Sequence, residues 1–286
     1  MEKEYYAKSS PLLTIEQHTK EVEEKAKELF DIKNKYFTKE EKNMILIACH
    51  CHDIGKINSI FQERILNQSS KTQIPHGYLS VLLIYYENVK EYLNKKNDFY
   101  IILNAIFYHH VRNKPQQKDI IEFSKNYLLD NAKDYFNDQN FKLNIGNLNH
   151  IYRLKQFNLY DEDDWLKYVV TKGILNKADW SASGNTKIEV SAQESIKSNI
   201  SNLLNNLYLC QKYMLEHSDD NVIITASTGS GKTEGALLWL NDEKGFFTLP
   251  MKVSANSIYE RVKNNYLKDV AILHSDSYKY YQESDN

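Results

Sequence analysis

Between Met44 and Cys49 the chain reads Met-Ile-Leu-Ile-Ala-Cys, and it then runs through His52-Asp53 into Ile54-Gly55-Lys56. A helix over about 41–54 is apolar nearly all round, so it belongs at the centre of a helical domain and not on its surface. Gly55 is expected to end it. A central helix of this kind delivers an imidazole and a carboxylate into a core, where a carboxylate is costly unless paired or bound to metal. Turn formers are scarce: nine Gly and four Pro in 286 residues favour long helices over a turn-rich β protein.

Helical periodicity extends in both directions. Thr14 and Gln17 form a candidate capping box, opening a helix with the stripe Ile15, Val22, Ala26, Leu29, on which His18 also falls. Further helices are expected over about Gly77–Leu93, with His76 at its start, and Phe99–His110, where His109 lines up with Phe99, Ile102 and Ile106. Residues 111–163 read as polar loops with short helices. A helix over about 164–182 carries the stripe Trp165, Tyr168, Lys172, Leu175, Asp179. The acidic run Asp161–Asp164 suits its positive end.

Five histidines (His18, His52, His76, His109, His110) and two aspartates (Asp53, Asp179) thus point at one core. One buried histidine is usually structural, but seven such groups together form a ligand set for a divalent metal. The run Cys49-His50-Cys51-His52 does not have the spacing of a structural zinc site, so Cys49 and Cys51 read as core thiols. His150, His217 and His274 have no partners visible in sequence and read as solvated.

These residues carry a resemblance. Cys51-His52-Asp53-Ile54-Gly55-Lys56 resembles the signature of HD-superfamily phosphohydrolases. The order His18, His52-Asp53, His76, His109-His110, Ala178-Asp179-Trp180 resembles the nuclease domain of type I CRISPR nuclease-helicases, over most of residues 1–185, with 111–163 unmatched. The resemblance implies two metal ions. His18, His52, Asp53 and Asp179 would hold the first, and Asp53 would bridge to a second held by His76, His109 and His110. The ions would be Mn, Fe, Co, Ni or Zn, which His/Asp sites distinguish poorly. Two cations ~3.5–4 Å apart clamp a scissile phosphate and activate water. With Asp53 and Lys56 in catalytic roles, Lys56 would be a cationic contact to the phosphate.

Beyond a Ser/Asn/Lys-rich stretch the pattern changes. Val222–Thr225, Gly245–Leu249 and Val270–Leu273 look like strands of a parallel sheet. Ala226-Ser227-Thr228-Gly229-Ser230-Gly231-Lys232-Thr233 follows the first of them and has the form of a phosphate-binding loop. Thr228, Gly229, Ser230, Gly231, Lys232 and Thr233 would bind ATP, with Thr233 on Mg²⁺. Thr233–Leu237 and Leu249-Pro250 with Asn256–Val262 are similar to the same CRISPR family, and Gln211 would read adenine. No Asp-Glu-x-His follows Lys232, and Asp242-Glu243 comes too early, so no ATPase or helicase activity is expected of what reads as a truncated module.

The fold class expected is therefore mainly α: an HD-type all-helical domain at 1–185, a linker at 186–219, and an incomplete α/β RecA-like P-loop segment at 220–286. The function expected is a divalent-metal-dependent DNA nuclease of CRISPR antiviral interference. Its partners would be single-stranded DNA and the RNA-guided Cascade complex. The alternatives are an HD phosphohydrolase acting on nucleotides or cyclic dinucleotides, and a non-catalytic ATP- or DNA-binding fragment. A net charge of −2 carries no nucleic-acid signature of its own. The N-terminus lacks a signal peptide, and the most apolar run, Tyr78–Tyr86, is about half the ~20 residues that span a bilayer. Three cysteines suggest no disulfide framework. A cytoplasmic monomer without membrane contact is expected.

Overall fold

Thr14 closes a hairpin and opens a helix, and the computed structural model shows both. It describes residues 3–67, 73–110, 115–153, 162–190, 195–203 and 206–277. Strands β1 (Tyr6–Ser9) and β2 (Leu12–Thr14) pair antiparallel, with Lys8 opposite Leu13. The Thr14 side chain then accepts from Gln17 N while Gln17 Oε1 accepts from Thr14 N, and this capping box starts α1 (Ile15–Ile32). Residues 1–189 and 190–286 form separate compact units.

In the first unit α2 (Lys39–Cys51) is the buried centre, as its composition requires; Met44, Ile45, Ala48 and Cys49 are fully enclosed. It ends sooner than expected, and after His52 and Asp53 a tight 3-10 turn covers Ile54–Ile57. Gly55 has no left-handed backbone and so is not a C-cap. Helix α3 (Ser59–Asn67) follows, its first turn capped by Asn58, whose Oδ1 accepts from Phe61 N at 2.9 Å.

The long helix expected over 77–93 does not form. Helix α4 (His76–Ser80) is a single turn, succeeded by 3-10 turns over Tyr86–Asn88 and Lys90–Tyr92. Asn147 Nδ2 donates to the carbonyls of Val81 and Ile84 at 2.8 and 2.7 Å, and Asn144 Nδ2 to that of Ile84 at 3.1 Å. Side chains from elsewhere thus satisfy carbonyls that a helix would bond locally.

Helix α5 (Lys96–Phe107) is almost wholly enclosed, and the stretch after it forms short helices, as expected. Helices α6 (Gln117–Tyr127), α7 (Leu129–Tyr135) and α8 (Ile145–Arg153) bury Ile120, Leu128, Ala132, Leu148 and Ile151 in the same core. Helix α9 (Glu162–Ser183) turns Thr171, Leu175, Ala178 and Asp179 inward, leaving Trp165 outside the expected stripe. Lys167 anchors its start by donating to buried Asp98 at 3.1 Å and to Glu40. Of the acidic run before it, Asp161 lies outside the described residues.

The second unit packs α10 (Ile196–Leu203), α11 (Leu209–Glu216), α12 (Lys232–Trp239) and α13 (Lys252–Asn265), with Ile196, Ile200, Leu237, Leu238 and Val262 at its centre. Buried Glu234 accepts from Arg261 and from Tyr266 Oη. The three expected strands are absent: the hairpin β1–β2 is the sole sheet among the described residues. Ile223, Phe246 and Leu273 are 96%, 98% and 93% exposed. A short apolar run signals a tendency to be buried, whereas a strand exists only through a ladder partner that sequence does not display. Among the described residues the RecA-like architecture expected for this segment is therefore not evidenced.

Candidate metal centre

Five segments of the first unit converge on one buried cluster. Helix α1 supplies His18, the end of α2 supplies His52 and Asp53, the first residue of α4 is His76, the residues after α5 are His109 and His110, and α9 supplies Asp179. His18, His52 and Asp53 are fully buried, His109 and Asp179 nearly so. Their convergence depends on close backbone approach. A Cβ at Gly55 would lie 2.2 Å from the His76 carbonyl oxygen, and one at Gly77 would lie 2.8 Å from the His109 ring. Only glycine allows the turn after Asp53 to sit against α4.

Two groups of ligand atoms result. Those of His18, His52 and Asp53 all lie within 4.8 Å of one another, and so do those of His76, His109 and His110. One cation with bonds of ~2.0–2.2 Å spans ligand atoms up to about 4.4 Å apart, so each group is close to that size. Asp53 stands between them: Oδ1 is 3.5 Å from His52 Nε2 and 3.0 Å from His76 Nε2, and Oδ2 is 3.6 Å from His18 Nε2. Asp179 Oδ1 is 3.1 Å from His18 Nε2 and accepts from Ser183 Oγ at 3.2 Å, while its Oδ2 is 3.6 Å from His110 Nε2. His76 and His109 approach through their Nε2 atoms at 3.1 Å.

The supporting bonds fix which nitrogens face inward. His52 Nδ1 is 2.7 Å from the Cys49 carbonyl and His109 Nδ1 is 2.5 Å from that of Ile106. A carbonyl only accepts, so each Nδ1 carries hydrogen and each Nε2 presents a lone pair to the cluster. This is the outer-shell pattern of metal-binding imidazoles. Among the described residues, His18 Nδ1 and His52 Nε2 are buried without a hydrogen-bond partner, and Asp53 Oδ1, with its several lone pairs, has the His76 imidazole at 3.0 Å. Orphaned buried lone pairs are costly, and a divalent cation satisfies both His52 Nε2 and Asp53 Oδ1. The residues present fit metal.

Charge agrees. Burial pushes the Asp53 carboxyl up, but His52, Lys56 and His76 beside it hold it well below the usual carboxylate range. Burial opposes ionisation of Asp179 too, yet the His18 hydrogen bond and the neighbouring His52 imidazole keep it low. Burial depresses His109 strongly and His76 and His110 as well. Ionised carboxylates and neutral imidazoles are the protonation states that ligation requires.

Lys56, expected at a substrate phosphate, donates to Asp53 Oδ2 at 2.6 Å and lies over the Phe61 ring. Cys49 and Cys51 are buried thiols whose pKa values burial pushes up, that of Cys51 to about 12. Ser80 carries no sequence signal, yet its buried hydroxyl accepts from Gly55 N at 2.9 Å and lies 2.6 and 3.0 Å from the His52 and His76 carbonyls. It joins the two halves of the cluster. Three histidines expected to be solvated have partners instead: His150 stacks on Tyr100, His217 pairs with Asp220, and His274 bonds Asn256.

In the second unit the loop before α12 has Gly229 and Gly231 at φ +80° and +78°. Lys232 begins the helix and donates to the carbonyls of Ala226 and Ser227, both at 2.7 Å. Thr228 and Gly229 are exposed, and Ser230 Oγ donates to Ser227 O at 2.8 Å. Thr233 is half-buried in the first turn. Gln211 is buried, accepting from Tyr208 N at 2.9 Å and donating to Gly231 O at 3.1 Å, so its amide is engaged within the unit.

Fold and site define a class: residues 15–135 match the HD domain family, with six of the seven clustered residues inside the match and Asp179 beyond it. This match, with the His/Asp clusters, supports a metal-dependent hydrolase of the HD type. One relative is the CRISPR-associated nuclease/helicase Cas3 of Methanothermobacter thermautotrophicus, 32% identical over 123 residues. That match covers 40% of this chain and 15% of the archaeal protein, so the chain spans well under two thirds of its relative. No solved structure gives a match. No helix among the described residues is long and apolar enough to cross a membrane.

Proposed function

We propose that the N-terminal unit is a divalent-metal-dependent DNA nuclease that hydrolyses phosphodiester bonds, prefers single strands and serves CRISPR antiviral interference. The observation that carries this reading is Asp53, a fully buried carboxylate between two groups of imidazole nitrogens. His18, His52, Asp53 and Asp179 would hold one cation and His76, His109 and His110, with Asp53 shared, a second. Bound there, the pair would polarise a phosphate and lower the pKa of water to a useful range. The chain's own contribution is to fix the ligand tautomers through Cys49 O and Ile106 O, to bring α4 against Asp53 through Gly55 and Ser80, and to keep Lys56 beside the carboxylate. DNA as substrate is supported by the similarity to a nuclease/helicase and by the phosphate-binding loop that follows in the same chain. Residues Thr228–Thr233 would then bind ATP with Mg²⁺, and the target strand would be presented by the RNA-guided Cascade complex.

The experiment is cleavage by the full chain loaded with Mn²⁺, Co²⁺, Ni²⁺, Fe²⁺ or Zn²⁺. Single-stranded DNA, blunt duplex and cyclic dinucleotides are compared, with and without ATP. Chelator-sensitive cutting of the single strand, faster than duplex and without ATP, supports the reading. Turnover of cyclic dinucleotides alone assigns the site to a nucleotide phosphohydrolase, and no metal uptake at all sinks the hydrolase.

A further inference from the structure

Two of the buried imidazoles bond their outer nitrogen to a carbonyl three residues back, and His18 does not. His52 Nδ1 lies on Cys49 O and His109 Nδ1 on Ile106 O, whereas His18 Nδ1 is buried without a hydrogen-bond partner. The whole His18 side chain is enclosed. Its Nε2 faces the cluster, 3.1 Å from Asp179 Oδ1 and 3.6 Å from Asp53 Oδ2. Nδ1 is left for a different neighbour, and the carboxylate beside it belongs to Glu21, whose Oε2 is 3.7 Å away.

Helix α1 creates this pairing. His18 and Glu21 are three residues apart on it, so their side chains share one face. The His18 side chain is enclosed and that of Glu21 is 43% exposed, so the pair bridges the core and the solvent. A neutral imidazole carries a single N–H. For Nε2 to offer its lone pair to a cation the hydrogen must sit on Nδ1, and buried there it needs an acceptor. Metal-binding imidazoles meet that need with a carbonyl, a carboxylate or water. Nδ1 is closed to solvent, which leaves the carboxylate. Closing from 3.7 Å to a hydrogen bond of ~2.9 Å takes less than about 1 Å, within a rotation of a half-exposed side chain. The opposite tautomer would set an Nδ1 lone pair against the carboxylate, an unfavourable meeting of two acceptors.

We propose that Glu21 is a positioning residue of the metal centre: its carboxylate accepts from His18 Nδ1–H and so holds Nε2 as the ligating nitrogen. This rests on the reading of His18 as a ligand of the first cation. Glu21 does for His18 what the Cys49 and Ile106 carbonyls do for His52 and His109. Its acceptor is charged, and such bonds are stronger than those to a neutral carbonyl.

The test titrates the full chain, carrying isotope-labelled histidine, with Zn²⁺ alone in wild type, Glu21→Ala and Glu21→Gln. Nitrogen NMR of the His18 and His109 rings reads the tautomer and the occupancy of the two groups separately. Zinc-loaded wild type should show His18 protonated at Nδ1 and shifted by zinc at Nε2. Glu21→Ala should lose the Nδ1–H signal and bind zinc at the His18 group roughly 10–100-fold more weakly, as when other outer partners of metal-binding imidazoles are removed. The His109 group and the melting temperature of chelator-treated protein should stay as in wild type. Glu21→Gln keeps a neutral acceptor and should retain the tautomer with an intermediate affinity. An unchanged His18 signal and zinc affinity in Glu21→Ala overturn the proposal. Equal zinc loss from both groups also overturns it, because Glu21 would then be structural. A wild type that takes zinc at His18 but cuts no single-stranded DNA with any of the metals overturns the nuclease reading alone, and Glu21 is then judged on zinc. A wild type that takes no zinc at His18 overturns both.

Discussion

The alpha carbon of Gly55 faces the carbonyl oxygen of His76 so closely that a methyl group there would stand 2.2 Å from it. This contact presses the turn carrying Asp53 onto the helix carrying His76, and both groups of ligand atoms depend on it. Gly55→Ala must push α4 away, with a stability cost of about 2–3 kcal/mol as for other overpacked sites. The expected outcome is a lower melting temperature together with lost metal. An alanine variant with wild-type metal content and stability would show the backbones are not in contact.

Ligand removal should separate the two groups. Asp53→Ala is expected to abolish metal binding and cleavage together, since Asp53 stands between both sets. His109→Ala should release only the metal associated with His76 and His110, and Asp179→Ala only that associated with His18. Metal analysis of each purified variant reads this directly. Equal losses from His109→Ala and Asp179→Ala contradict two sites.

Acid should destabilise the metal-free protein in two stages. His76, His109 and His110 are all lowered from 6.5, so the unfolded chain binds protons that the folded one refuses as pH falls below that value. Asp53 and Asp179 are likewise lowered from 3.8. In both cases the unfolded state carries more protons, so stability is full above about pH 7 and falls with acidification. The histidines act first, and the carboxylates add a second loss below about pH 4. Melting temperatures of chelator-treated protein from pH 7.5 to 4 test this, and a flat profile between 7.5 and 5 contradicts it.

The loop before α12 should not support DNA-stimulated ATP turnover in this chain. Lys232 rests on the carbonyls of Ala226 and Ser227 and would have to leave them to reach a phosphate. Asp242-Glu243 leads into Lys244-Gly245, and no Asp-Glu-x-His follows to anchor Mg²⁺. An ATPase assay with single-stranded DNA, comparing wild type with Lys232→Ala, should find no difference. Turnover that vanishes in the variant would show that the acidic anchor comes from elsewhere.

Features set by neighbours along the chain were readable in the sequence. Thr14 and Gln17 form their capping box because both partners lie within one helical turn. Met44–Cys49 goes to the centre because an all-apolar helix has no other place. His18 and Asp179 could be singled out because helical periodicity aims them inward, and His52-Asp53, His76 and His109-His110 because their order along the chain resembles the HD-family pattern. The two loop glycines adopt positive φ at no steric cost because they lack a Cβ.

What only the tertiary structure decided are contacts between distant segments. The helix expected after His76 stops at Ser80 because Asn144 and Asn147, more than sixty residues on, take its next carbonyls. Gly55 is a point of contact and not a cap because α4 happens to lie against it. The apolar runs near 223, 246 and 273 have no strand ladder because pairing needs a partner at the right register, which no local pattern specifies. Local sequence fixes which groups each helix can present, but long-range hydrogen bonds and steric fit determine where those groups meet.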